Sequence, residues 1–215
     1  MVPRIAIAGV AATVLAGAAG AATRAEPPFA ATVTRTAAAQ LRFSYRPGCP
    51  VAPAALRNIR LAYWGFDGKR HLGALVVNGG VAGQVVAVFR RLYRAHFPIR
   101  RIRPIDAYRG SDDRSMAADN TSGFNCRRAV AAGPPQWSAH AYGEAIDVNP
   151  LENPYVLNGK MRPPRGARYA GRANVRPGMA VTGGVLVAAF AAAGWQWGGR
   201  WTASPDYQHF SSTGG

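Results

Sequence analysis

A change in hydrophobic period is the feature that most constrains the fold of this chain. Apolar side chains alternate over residues 59–63, as in a half-buried strand, and an Asp-Gly turn at residues 67–68 precedes a second apolar run over residues 71–78. Over residues 81–96 the apolar positions recur at steps of three and four, which predicts an amphipathic helix. Two adjacent antiparallel strands and a helix behind them indicate the α+β class.

Four further segments complete the predicted fold. Residues 102–108 and 145–149 are interpreted as strands, and residues 185–193 as a helix rich in small side chains. Trp195 and Trp197 alternate as in a strand, and we expect them to pack in the core rather than to line a binding cleft. The expected architecture is a small antiparallel sheet with helices packed against it.

The amino-terminal residues resemble an export signal. Arg4 precedes an uncharged run over residues 5–22, which contains an A-x-A cleavage pattern at residues 19–21. A membrane-spanning helix is the alternative, but the run is dominated by Ala and Gly and no basic cluster follows it. We therefore predict a cleaved signal peptide over residues 1–25 and a secreted protein.

Export also affects the interpretation of the next segments. Residues 26–40 are rich in Ala and Thr and are predicted to form a linker or flexible arm, before one folded domain over residues 41–215. Cys49 and Cys126 are the two cysteines of the chain. In an oxidising compartment they favour a structural disulfide over a thiolate metal site, because no third or fourth cysteine is available.

The formal net charge of +16 narrows the range of partners. A field of this sign favours anionic partners such as nucleic acid, acidic wall polymers or a membrane surface. Compositional bias is the alternative, because all but two of the 26 cationic residues are arginines, scattered singly and in pairs. We expect no binding to nucleic acid, since the chain contains no recognised motif for it and an exported protein does not meet genomic DNA.

Histidines and carboxylates lie together in two short stretches. His140 precedes Asp147 by seven positions, and Asp206 precedes His209 by about one helical turn. A catalytic zinc takes imidazole and carboxylate ligands from the protein and keeps one position open for water. This spacing favours zinc bound by His140, Asp147 and His209, with Asp206 as the general base beside the bound water.

The same four residues also have a structural interpretation. His140 could form a hydrogen bond within a loop, Asp147 could cap a strand, and His209 could lie near a frayed terminus. Spacing alone leaves both interpretations open. If the metal interpretation is correct, the small antiparallel sheet carries the zinc site and helices flank it.

Three motifs resemble one family of enzymes. They are S-x-H-x-x-G-x-A-x-D at residues 138–147, Asp-x-x-His-Phe at residues 206–210 and Gly-Trp-x-Trp-Gly-Gly-x-Trp at residues 194–201. They are similar to motifs of the VanY-type zinc D-alanyl-D-alanine carboxypeptidases and the related L-alanyl-D-glutamate endopeptidases, the LAS group of peptidoglycan peptidases. The resemblance covers about residues 60–212 and implies the same three zinc ligands and the same base, in a catalytic domain over residues 41–215.

The resemblance also implies residues that contact the substrate. The family places an arginine near the scissile carbonyl, in a Tyr-Arg pair that matches Arg109, where it would stabilise developing negative charge by about 3 kcal/mol. The segment 111–127 resembles a secreted subgroup, and its Arg114 and Asn120 would bind peptide amides and carboxylates. Ser138 would contact the substrate or brace the neighbouring histidine. The alternatives are a surface role for Arg109 and hydrogen bonding within the loop for the segment.

The expected function is therefore that of a secreted zinc metallopeptidase of the D,D-carboxypeptidase type. Its cofactor would be Zn²⁺ and its partner the peptidoglycan stem peptide, with anionic wall polymers as a further partner, and we expect a monomer. An L,D-type endopeptidase would use the same residues. A zinc-containing module that binds the wall without turnover is the alternative from a different class.

Overall fold

The computed structural model describes residues 26–130 and 134–214, together with Met1. Residues 2–25 of the predicted signal peptide lie outside the described residues. The strands and helices, in chain order, are β1 (Ala31–Arg35), β2 (Leu56–Trp64), β3 (Arg70–Asn78), α1 (Ala82–Arg94), α2 (Asp112–Ala117), α3 (Ala139–Tyr142), β4 (Ala145–Asp147), β5 (Tyr155–Leu157), β6 (Lys160–Arg162), α4 (Val185–Ala191), β7 (Gln196–Trp197) and β8 (His209–Ser211). Within this part of the chain, none of the helices combines the length and apolar character needed to cross a bilayer.

A three-stranded antiparallel sheet, in the order β1-β2-β3, forms one layer of the molecule. Strands β2 and β3 pair along their full length, from Leu56 opposite Asn78 to Trp64 opposite Arg70. Ile59 on β2 and Val85 and Phe89 on α1 belong to the same buried cluster, so the helix covers one face of the sheet. The predicted strand pair and helix are confirmed.

A second antiparallel sheet, in the order β4-β8-β7, lies on the other side of the same core. Ile146 of β4 and Phe210 of β8 are fully buried in the cluster that also contains α1 and α4. Trp195 and Trp197 are buried there as well, as predicted. The α+β class, with a small antiparallel sheet flanked by helices, is confirmed.

Part of the expected linker belongs to the first sheet. β1 pairs with β2 from Ala31 opposite Leu61 to Arg35 opposite Arg57, so the prediction of a flexible arm is wrong over these five residues. Threonine and valine in this stretch favour an extended backbone, and the free edge of β2 offers main-chain hydrogen bonds to it. Because β1 is mostly exposed, it lacks the alternation that identifies a strand in a sequence.

The predicted strand over residues 102–108 is also wrong. Ile102 forms only an isolated bridge with Thr121, and residues Ile105–Tyr108 form a 3₁₀ helix. Pro104, which immediately precedes this helix, has no N–H group to donate to a strand, and its fixed φ suits the start of a helical turn. The chain therefore turns where the apolar pattern predicts extended backbone.

A smaller core cluster surrounds the disulfide. Cys49 and Cys126 are bonded, which confirms the predicted pairing across a sequence separation of 77. Leu56, Val76 and Phe124 pack in the same cluster as Cys126. The disulfide therefore connects the region before β2 to the segment that leads toward the functional site.

Candidate metal centre

A single helical turn positions His140. The Oγ of Ser138 caps α3 and accepts a hydrogen bond from the backbone N–H of His140 at 3.3 Å. Gly143 ends the turn with a left-handed backbone, φ 70°, and a Cβ at this position would lie 2.6 Å from the backbone nitrogen of Asn78. Glycine is required here both for the backbone conformation and for the close approach to β3. The turn is therefore docked firmly against the first sheet.

Strand pairing in the second sheet brings the other two predicted ligands together. Asp147 of β4 lies directly opposite His209 of β8 in the antiparallel register. Both side chains are buried, and Asp147 Oδ1 lies 3.2 Å from His209 Nδ1. Directly opposed residues on one face of an antiparallel pair have adjacent side chains, so the register itself creates this contact.

His140, Asp147 and His209 form a compact triangle of ligand atoms. His140 Nε2 lies 3.2 Å from His209 Nδ1 and 3.2 Å from Asp147 Oδ2, and the other carboxylate oxygen, Asp147 Oδ1, lies 3.2 Å from His209 Nδ1. A tetrahedral zinc with bonds of about 2.0 Å separates its ligand atoms by about 3.3 Å. The three side chains therefore have the spacing of a metal site with three protein ligands.

A hydrogen bond orients one ligand of the triangle, and the local charges keep another ligand ionised. The Nδ1 of His140 donates to the carbonyl of Gly123 at 2.8 Å, which leaves Nε2 with its lone pair toward the triangle. Burial alone would lower the pKa of His140, but Asp147 raises it above its ordinary value. Burial alone would raise the pKa of Asp147, yet His140 and then His209 hold it far below its ordinary value. Asp147 is therefore an anion, suited to neutralise a metal ion.

Asp206 lies in the same buried region without belonging to the triangle. It is 9% exposed, and its Oδ1 has no hydrogen-bond partner among the described residues. Burial, and then the negative charge of Asp147, raise the pKa of Asp206 to about 7. The carboxyl group can therefore both accept and release a proton near neutral pH, as a general base requires.

The triangle and Asp206 line one cleft of about 930 Å³. Arg127 and Arg162 also line it, and each is paired with an aspartate, Asp112 and Asp113 respectively. A cleft of this volume accommodates a short peptide, and the paired arginines supply positive groups along its wall.

Ser138 lines this cleft and also braces His140 through the capping hydrogen bond, so the structure shows the bracing contact. Arg109 is exposed at the end of the 3₁₀ helix, with φ 54°, and does not line the cleft. Arg114 is exposed on α2 and likewise does not line it. Neither of these two arginines therefore forms part of the cleft wall.

The prediction that Asn120 binds the substrate needs a correction. It is fully buried, and its Nδ2 donates to the carbonyl of Arg103 and to the Oγ of Ser115, both at 3.0 Å. A side chain with these contacts stabilises the loop and has no surface to offer a substrate. The interpretation of the segment as hydrogen bonding within the loop applies to this residue.

Arg127 is the cleft residue that sequence reasoning missed. Its guanidinium forms an ion pair with Asp112, which also accepts a hydrogen bond from Asn125 Nδ2 at 2.7 Å. The side chain of Arg127 remains 26% exposed, so it is accessible from the cleft. It lies directly after Cys126, and nothing in the sequence distinguishes it from the other arginines.

Residues 132–212 match the sequence model of a family described as D-alanyl-D-alanine carboxypeptidase. The match includes the triangle and Asp206 but none of Arg109, Arg114 and Asn120. The resemblance inferred from the motifs is confirmed over this stretch, which is shorter than the expected range of 60–212. Neither the curated proteins nor the solved structures gave a match.

Proposed function

From this family match and the ligand triangle, we propose that the protein is a zinc peptidase that acts on the peptide stems of peptidoglycan. We assign it the D,D-carboxypeptidase specificity of the matched family and an extracellular location at the cell wall. The observation that supports the proposal most directly is the cluster of His140, Asp147 and His209, in which each imidazole lies 3.2 Å from the other and from one carboxylate oxygen, beside a buried carboxyl group. A structural role alone does not require this spacing.

His140, Asp147 and His209 would hold the zinc. When bound, zinc would polarise the scissile carbonyl and lower the pKa of a coordinated water molecule. Asp206 would accept the proton from that water and later transfer it to the leaving amine. Burial and the charge of Asp147 raise the pKa of Asp206 to about 7, which supports its assignment as the base.

Arg127 is the residue we assign to the carbonyl oxygen or the terminal carboxylate of the substrate. The guanidinium lines the cleft, whereas Arg109 does not. Arginine donates two parallel hydrogen bonds to a carboxylate and can stabilise negative charge as it develops on a carbonyl oxygen. This assignment replaces the role that the motif resemblance implies for Arg109.

Digestion of purified muropeptides, followed by mass spectrometry, tests the proposal. Wild-type protein with zinc should release terminal D-alanine. Asp206→Asn keeps the side-chain volume and leaves the three ligands in place, so activity should fall by about 10²–10⁴-fold, the contribution of one general base, while bound zinc stays stoichiometric. Asp67→Asn, an exposed carboxylate outside the cleft, is the matched control and should retain full activity.

Two results would contradict this function. Full activity of Asp206→Asn would remove the assigned base. Stoichiometric zinc in a wild-type protein that binds peptidoglycan but releases no product would instead support the non-hydrolytic wall-binding module.

A further inference from the structure

A second concavity, of about 590 Å³, lies beside strand β3 and shares no lining residue with the metal cleft. Its lining includes Arg60, Arg100, Arg101, Arg103 and His71, and among the described residues that form it there is no aspartate or glutamate. We name this concavity the basic cleft. We propose that the basic cleft binds an anionic polymer of the cell wall whose charges are phosphodiesters.

The fold places these arginines around a floor of small residues. Arg60 on β2 lies opposite Ala74 on β3, and the backbone N–H of Ala74 donates to the carbonyl of Ile102 at 3.1 Å. Ile102 is buried, so in this extended stretch its neighbours Arg101 and Arg103 extend to the opposite side. The guanidinium of Arg60 therefore lies on one side of this floor, and those of Arg101 and Arg103 lie on the other.

Close packing of the floor depends on a glycine. A Cβ at Gly73 would lie 2.5 Å from the Cβ of Ile102 and 2.8 Å from its carbonyl oxygen. Glycine at this position lets the segment that contains Arg101 and Arg103 lie directly along β3. A larger residue would move these arginines away from Arg60.

The positive charge of the basic cleft is largely unneutralised within the described residues. Arg60 and Arg103 are exposed and form no ion pair there, and the buried Nε of Arg101 has no hydrogen-bond partner there. Arg100 contacts Asp119 at 3.5 Å and lies over the ring of a phenylalanine. Like charges held close together attract anions from solution, so the cleft concentrates negative ligands.

Two polar aromatic side chains of the cleft, Tyr63 and His71, are already engaged. His71 contacts the carboxylate of Asp67 at 2.9 Å, and its ring is stacked on that of Tyr63 at 5.5 Å. Burial raises the pKa of Tyr63, and the positive charges of Arg101 and then Arg103 oppose this effect. Both arginines are therefore close to the phenol. The free cationic groups of the cleft are guanidiniums, beside the neutral amides of Gln40 and Asn58.

Guanidinium chemistry favours phosphate esters as ligands. The planar donor fork of arginine matches two oxygens of a phosphate. Arg60, Arg101 and Arg103 supply three free guanidiniums around a cleft of about 590 Å³. Such a set can bind successive charges along a polymer and is larger than a single small ion needs. Nucleic acid is less favoured, because single strands need exposed aromatic faces for base stacking, and Tyr63 and His71 stack on each other. The choice of a wall polymer rests on the proposed function.

Binding of a synthetic poly(glycerol phosphate) to the full chain tests this proposal. We expect Arg101→Gln with Arg103→Gln to weaken binding at least 10-fold. The matched control, Arg91→Gln with Arg94→Gln on the exposed side of α1, removes the same charge and should weaken binding less than 3-fold. Binding of the wild type should decrease as salt is raised, because ions screen exposed charges.

Three results would overturn the assignment. The first is equal weakening of binding by the two double variants, which would mean that only net charge matters. The second is absence of wild-type binding at physiological salt. The third is tighter binding of an oligonucleotide of equal charge through Arg101 and Arg103. The polymer contains no peptide bond, so its binding is measured independently of muropeptide hydrolysis. Failure of hydrolysis with intact, site-specific polymer binding would contradict the proposed function and leave the basic cleft in place.

Discussion

Glu152 is buried at 1% exposure although it carries a carboxyl group. It accepts a hydrogen bond from the hydroxyl of Tyr169 at 3.1 Å and lies beside Asp119, which itself accepts from the backbone N–H of Leu151 at 2.9 Å. Burial, and then the negative charge of Asp119, raise the pKa of Glu152 to about 8. At neutral pH the folded protein therefore keeps most of this group protonated.

The stability of the protein should depend on this proton. The pKa of Glu152 rises from 4.5 to about 8 on folding, so between these values the folded state binds more protons than the unfolded state and stability falls as pH rises. Glu152→Gln is neutral at every pH and should remove this decrease. We expect its Tm to match the wild type near pH 4 and to exceed it near pH 9, by about 2–4 °C for each kcal/mol of cost removed.

Calorimetry across this pH range, with Glu144→Gln as the control, checks the prediction. If the curves of Tm against pH for Glu152→Gln and wild type are parallel, the carboxyl group of Glu152 ionises without cost in the folded protein.

The extended segment over residues 121–126 connects the first sheet to the metal centre. The backbone N–H of Phe124 donates to Val76 of β3 at 2.7 Å, and the carbonyl of Gly123 accepts from His140. Ser122 exchanges two backbone hydrogen bonds with Asp147. One short element therefore positions two of the three ligands relative to the main sheet.

Gly123→Ala should disturb this element. A Cβ at Gly123 would lie 2.5 Å from the carbonyl oxygen of Val76, so the segment or the strand must move. The displaced carbonyl would weaken the hydrogen bond that orients His140, and loss of such a bond lowers metal affinity by about 10–100-fold. Zinc titration with a competing chelator measures this change.

Gly171→Ala is the appropriate comparison, because a Cβ at Gly171 meets no atom within 4 Å. Wild-type zinc affinity in Gly123→Ala would show that His140 keeps its orientation without this contact.

At the scale of the whole molecule, two clusters of buried hydrophobic side chains stabilise the part of the chain that the structure describes. The larger one lies between the two sheets and includes α1 and α4, whereas the smaller one surrounds the disulfide between Cys49 and Cys126. Because the disulfide closes a long loop, it removes conformational freedom mainly from the unfolded chain. It also connects to Arg127, the residue we assign to the substrate.

Removal of the disulfide should therefore reduce stability more than it changes the metal centre. We expect Cys49→Ser with Cys126→Ser to lower the free energy of unfolding by about 4 kcal/mol, the chain-entropy value for a loop of this size. Zinc should remain stoichiometric at low temperature, because two of the three ligands lie on the paired strands β4 and β8 and the third lies on α3, outside the disulfide-bonded segments. Urea unfolding of the double variant, and of reduced wild type, measures the loss, and a change below about 1 kcal/mol in both would contradict the entropic account.

Local patterns explain which features could be predicted from the sequence. The β2–β3 pair, α1 and α4 follow from hydrophobic period and a turn signal, and the spacing of His140, Asp147 and His209, together with the motif resemblance, predicted which side chains lie together. Which side chains line the cleft depends instead on how distant segments are arranged in the folded chain. Arg109, at the left-handed end of a 3₁₀ helix, does not line the cleft, whereas Arg127, next to the disulfide-bonded Cys126, does.

The direct opposition of Asp147 and His209 has a consequence for how this chain tolerates insertions and deletions. Side chains alternate between the two faces of a strand, so a one-residue slip of β8 against β4 would turn the imidazole toward the core and bring Phe210 opposite the carboxylate. A residue added at the exposed positions 202–203 of the loop before β8 leaves the β4–β8 register unchanged, whereas one added within the three residues of β8 shifts it. Sequence length is therefore under tighter constraint in these three residues than in the loop before them.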